Sequence, residues 1–100
     1  MNHQSIINTI RKYFEDKPVL WVGVFGSLAR NEMTESSDVD IALQFEKKSG
    51  TSLFDYVKYK QDLEELIGRK VDLVTYKYLR PRLKKYVDRD LLIIYKKEAA

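Results

Sequence analysis

The chain has no cysteine, one histidine, one tryptophan, two prolines and four glycines in 100 residues. Without cysteine there is neither a disulfide frame nor a thiolate metal site. With His3 as the only imidazole, a zinc centre would have to rely on carboxylates, a poor set for that ion. His3 itself lies at the start of the chain, where a bystander role is expected. No apolar stretch is long enough to span a bilayer, and Met1 to Ile10 lacks the apolar run of a signal peptide, so the expectation is a cytoplasmic protein. Neither sign of charge dominates, the net charge being +3. The positive excess gathers between Lys77 and Lys97. A solvated basic helix accounts for it, with affinity for a triphosphate or nucleic acid as the alternative. The seven tyrosines do not interleave with the basic residues as a stacking platform would require.

What is present suits one globular domain over residues 1–100: 44% hydrophobic and 33% charged residues, without repeat, linker or low-complexity segment. Ser5 to Asp16 reads as a helix, with Ser5 as N-cap and an apolar stripe of Ile6, Ile7, Ile10, Tyr13 and Phe14. Lys17-Pro18 ends it. Val19 to Phe25 is a near-continuous apolar run, the pattern of a strand buried on both faces. Gly26-Ser27 breaks that run, and Leu28-Ala29-Arg30 starts a short helix. After a polar loop, Asp38 to Phe45 alternates: Val39, Ile41, Leu43 and Phe45 point one way, Asp38, Asp40, Ala42 and Gln44 the other. Ser52 to Ile67 is a helix with a buried stripe of Leu53, Tyr56, Val57, Leu63, Leu66 and Ile67, closed by Gly68. A strand follows over Lys70 to Thr75, then a helix from Pro81 to about Arg89, then a strand over Leu91 to Tyr95. The expected architecture is an α/β (α+β) fold, a small mixed sheet with helices packed mainly on one face.

Asp38 and Asp40 are one residue apart, so on a strand they leave the same face, about 7 Å apart along it. Two like charges that close repel unless a cation offsets them. Magnesium takes one or two carboxylates together with substrate phosphates. A solvated strand face explains most isolated pairs of this kind, but this pair opens a strongly apolar strand. Gly26-Ser27 exposes backbone N–H groups where a strand turns into a helix, a place for phosphate, with the Ser27 hydroxyl and Arg30 adding to it. Read alone, the dipeptide is an ordinary capped turn. Asp72, in Val71-Asp72-Leu73, is a third acid that joins the pair if its strand neighbours the other; otherwise it is an edge residue paired with a basic side chain.

Together, Gly26-Ser27-Leu28-Ala29-Arg30 and Ser37-Asp38-Val39-Asp40-Ile41-Ala42-Leu43 resemble the signature of the DNA polymerase beta-like nucleotidyltransferase superfamily. The short spacer and small size resemble its minimal nucleotidyltransferase (MNT) branch. Val71-Asp72-Leu73-Val74 is similar to the family's third-acid strand, and Arg80-Pro81-Arg82-Leu83 leading to Leu91-Leu92-Ile93-Ile94-Tyr95 looks like the branch's C-terminal end. Asn31-Glu32 stands where many relatives have a glycine-containing turn. The resemblance implies metal-dependent transfer of a nucleoside monophosphate from a triphosphate to an acceptor hydroxyl. By it, Asp38 and Asp40 bind two magnesium ions, Asp72 binds the catalytic metal and activates the hydroxyl, and Gly26 and Ser27 hold the terminal phosphates of ATP with Arg30 nearby. It also implies a partner: a HEPN-domain toxin, a helical ribonuclease, on one of whose tyrosines the antitoxin places AMP. The chain is too short for a separate acceptor-binding domain, which agrees with an acceptor brought by another macromolecule. The alternatives are a non-catalytic antitoxin that masks its partner, and a nucleotidyltransferase for a small molecule or an RNA end.

Overall fold

The computed structural model describes residues 1–98. Its elements are α1 (His3–Phe14), β1 (Val19–Phe25), α2 (Gly26–Ala29), β2 (Val39–Phe45), α3 (Leu53–Ile67), β3 (Val71–Thr75), a 3-10 turn (Tyr76–Tyr78), α4 (Pro81–Asp90) and β4 (Leu92–Lys96). The strands form one sheet in the order β3-β2-β1-β4. β1 is antiparallel to both of its neighbours, and β2 is parallel to β3. A parallel pair needs a crossover connection, which α3 supplies. The expected mixed α/β sheet is therefore the observed one.

One face carries the main core. Ile6, Ile10 and Phe14 of α1 and Tyr59, Leu63 and Ile67 of α3 pack there on Val22, Val24, Ile41, Leu43, Val71 and Leu73. The other face is covered in part by α4, where Val87 meets Phe25 and Ala42. Trp21 packs edge-on against Tyr76 on that side, with ring centroids 5.4 Å apart.

Three local details differ from the sequence reading. The N-cap of α1 is Asn2, not Ser5: the Asn2 side chain accepts from the Ser5 backbone N–H at 2.8 Å, so the helix starts a turn earlier. His3, expected as a bystander, places Nε2 2.9 Å from the Leu28 carbonyl and ties α1 to the end of α2. In α3 the stripe is rotated. Tyr59, Leu63 and Ile67 are buried, one per turn, while Leu53, Val57 and Leu66 are 74%, 40% and 50% exposed. The buried line faces both the sheet and α1: Tyr59 meets Phe45 of β2 and Tyr13 and Phe14 of α1, and Leu53, Val57 and Leu66 fall outside that contact. Ser52 and Asp55 close its N-terminus as a reciprocal capping box.

β4 is an edge strand with Leu92 and Ile93 nearly half exposed. Its pairing with β1 is interrupted at Ile94, whose carbonyl accepts from Arg11 Nε at 2.9 Å. A bulge and a charged side chain on an open edge both oppose pairing with another strand.

Candidate active site

Period-two alternation sets the direction of each acid. In β2, Val39, Ile41 and Leu43 are fully buried in the main core, so Asp40 and Ala42 emerge on the opposite face. In β3, Val71 and Leu73 do the same for Asp72. The parallel register pairs Val39 with Val71 and Asp40 with Asp72. The two carboxylates thus stand side by side on adjacent strands, about 4.8 Å between backbones, on one face. Asp38 lies just ahead of β2 and is exposed. The loop that delivers it is pinned by Arg69, whose guanidinium donates to the carbonyls of Thr34 at 2.7 Å and Ser37 at 3.0 Å. Nothing in the sequence pattern marked Arg69 for this task, because its partners are backbone atoms more than thirty positions away.

Partial burial, then the Asp72 and Asp38 carboxylates, push Asp40 up to about 6, with Arg30 pulling the other way. Such crowding of negative charge favours a cation. All the donors are carboxylate oxygens, the type magnesium prefers. Among the described residues no three His, Asp or Glu side chains are gathered closely enough to hold an ion by themselves. The set therefore fits an ion that takes only part of its coordination from protein and the rest from phosphate and water.

Gly26 adjoins Asp40. β1 ends with Phe25 opposite Asp40, and the chain turns at Gly26 with φ of 65°. A Cβ at this position would run into the Asp40 carboxylate. Glycine is thus required twice, for the left-handed backbone and for room beside the acid. Ser27 follows as the second residue of α2, which begins at Gly26, two residues ahead of the Leu28 start expected from the sequence. Arg30 caps α2, but its guanidinium is engaged: Nη1 lies 2.5 Å from Asp90 Oδ2 and Nε lies 3.1 Å from Glu32 Oε2. The structure therefore brings Gly26, Asp40 and Asp72 together with Asp38 close by. It holds Arg30 between the site and the end of α4.

A cavity of about 640 Å³ lies elsewhere, at the C-terminal ends of β2 and β3, lined in part by Gln44, Thr75 and Tyr78. Gln44 is four residues beyond Asp40, about 13 Å along the strand, so the cavity and the carboxylates are separate features. The carboxylates are the better candidate for chemistry, because there like charges, a left-handed glycine and a strand-to-helix turn converge.

Residues 8–100 match the family described as Polymerase beta, Nucleotidyltransferase. The chain belongs to this nucleotidyltransferase family. It is 36% identical over 92 residues to the protein adenylyltransferase MntA of Thermococcus cleftensis, covering 91% of both chains. A solved structure of a candidate minimal nucleotidyltransferase superposes with a TM-score of 0.77 at 34% identity, covering 92% of this chain and 95% of that one. A solved complex of a tri-AMPylated HEPN toxin of Shewanella oneidensis with an MNT antitoxin matches with a TM-score of 0.73, covering 95% of this chain and 73% of that one. At 21% identity that last likeness is one of fold. The chain is accordingly a minimal nucleotidyltransferase with the polymerase beta-like fold. The one departure from the family's turn has a local explanation: Asn31 adopts φ of 57°. Asparagine is among the few residues other than glycine that enter this region readily.

Proposed function

We propose that this nucleotidyltransferase, acting as a single domain, transfers AMP from ATP to a hydroxyl, that of a tyrosine, on a HEPN-domain partner and so works as an antitoxin. The observation that carries the reading is the Asp40–Asp72 register beside Gly26. The name of its Thermococcus relative and the AMP-bearing toxin in the Shewanella complex support the choice of nucleotide and acceptor.

In this reading Asp38 and Asp40 hold magnesium, with Asp72 contributing from the neighbouring strand. When bound, the ions offset phosphate charge and stabilise the attacking and leaving oxygens of an in-line displacement. Gly26 lets the triphosphate approach the backbone, and Ser27 offers a hydroxyl to it. In the same reading Asp72, exposed at the outer edge of the pair, orients the acceptor hydroxyl and takes its proton. The acceptor oxygen bonds to the α-phosphorus of ATP, the bond to the bridging oxygen breaks, and pyrophosphate leaves.

The test is to incubate the purified protein with ATP, magnesium and its co-expressed partner, and to weigh the partner by mass spectrometry. An added AMP that disappears with Asp38→Asn and Asp40→Asn supports the proposal. No nucleotide on any co-purifying protein would count against it. A masking role without catalysis is favoured by one observation, the exposure of Leu53 and Phe54 at the head of α3 (74% and 86%). Neutralisation that survives both substitutions would select that reading.

A further inference from the structure

We propose that the cavity at the C-terminal ends of β2 and β3 is a second ligand site that takes a nucleoside phosphate, apart from the carboxylate face. Its volume, about 640 Å³, falls in the range of about 300–1,000 Å³ typical of small-molecule sites. Lys47, Lys48 and Lys77 all line it. None of these lysines takes part in an ion pair among the described residues. The acids closest by are committed elsewhere. Glu46 is paired with Lys97. The Asp55 carboxylate accepts from the Ser52 backbone N–H at 2.9 Å and from its hydroxyl at 3.2 Å. The cavity thus sets three lysines with no ion-pair partner among the described residues against Glu46, which lines it but is bound to Lys97, a net positive charge that draws an anion.

The other walls indicate what the anion is attached to. Tyr56 and Tyr78 line the same space, together with Leu53. Tyr56 is fixed by its hydroxyl, which donates to the Leu73 carbonyl. Tyr78 is 78% exposed, with the Lys77 ammonium 5.9 Å from its ring centroid. Tyr56 packs on the main core, so a bare phosphate or an acidic peptide would use the lysines and leave the exposed face of Tyr78 uncovered. A planar base on a phosphate uses both, since every base offers a face for stacking on an aromatic ring. The ligand is either a free nucleotide or one unit of a single-stranded RNA.

The experiment is an NMR titration of the full chain in EDTA with AMP, ATP, inorganic phosphate and a short single-stranded RNA, following the backbone amides. Without a divalent cation the carboxylate face repels phosphate, so the cavity is read alone. Saturable shifts over residues 44–53 and 75–78 are expected with the nucleotides. Lys47→Glu with Lys77→Glu should weaken them about tenfold or more. Asp38→Asn should leave them unchanged. Binding of AMP as tight as that of RNA identifies a free nucleotide; RNA binding at least about tenfold tighter identifies the polymer. Shifts confined to residues 26–30 and 38–40, shifts equal for phosphate and AMP, or no saturation would overturn the proposal. Should the double charge reversal unfold, Lys77→Gln and the map of the unsubstituted chain decide the matter. Because the titration needs neither metal nor transfer activity, its outcome is independent of the function proposed above.

Discussion

Asp40→Asn should make the ligand-free protein more stable while removing its activity. Asp40 is half buried beside two other acids, and its ionised form is unfavourable there. The rise from the ordinary 3.8 to about 6 corresponds to about 3 kcal/mol if the fold felt all of it. Solvent reaches much of the carboxylate, and screening reduces this to about 1 kcal/mol. The sign follows from linkage. A carboxyl whose value is raised in the fold favours the folded state below its unfolded value, and that contribution is lost as pH rises through the folded one. Asp40 therefore weakens the fold progressively between about pH 4 and pH 6 and leaves a constant penalty above. Asparagine, close to the same shape, carries no such penalty. At about pH 8 in EDTA the variant should melt about 4–8 °C higher than the parent, and at about pH 4 the two should nearly coincide. Circular dichroism melts at both values, with urea unfolding as a second measure, check this. A variant no more stable than the parent at the higher pH, or a gap of equal size at both, refutes the reasoning. Magnesium should raise the melting temperature of the parent and not of the variant, and nucleotidyl transfer should fall about 100-fold or more.

Other substitutions probe the remaining parts of the argument. Gly26→Ala places a Cβ in a left-handed turn against the Asp40 carboxylate and should cost about 1–2 kcal/mol in urea unfolding, with activity lost beyond what stability explains. Leu63→Ala, at a fully buried contact between α3 and the sheet, should cost about 2–5 kcal/mol, and a loss below about 1 kcal/mol would mean the core is placed wrongly. Phe54→Ser, at a side chain 86% exposed, should leave the melting temperature unchanged and weaken co-purification of the partner; equal recovery of partner would remove this face from the interface. Gly68→Ala, with φ of 74° and open space around the position, should cost about 1 kcal/mol through backbone strain alone.

Much of this protein is readable from its sequence because the information is local. The alternation of Val39, Ile41 and Leu43 with Asp40 and Ala42 assigns the two faces of β2 before any fold is known, and Val71-Asp72-Leu73 does the same for β3. A single amphipathic period is enough for that. The Gly26-Ser27 break, the stop at Gly68 and the helix start at Pro81 are likewise properties of a few consecutive residues. Tertiary structure decided what depends on register and on shared surface. That Asp72 stands opposite Asp40 follows from how two strands separated by a whole helix align, and a slip by one residue would have turned the acid into the core. That α3 buries Tyr59 rather than Leu66 depends on which line of its apolar surface meets the sheet and α1. Arg69 reached the loop before Asp38, and Arg30 turned to Asp90, because long side chains seek the acceptors that folding brings within reach. The direction of each acid is therefore a property of its own strand, whereas the meeting of the acids is a property of the sheet.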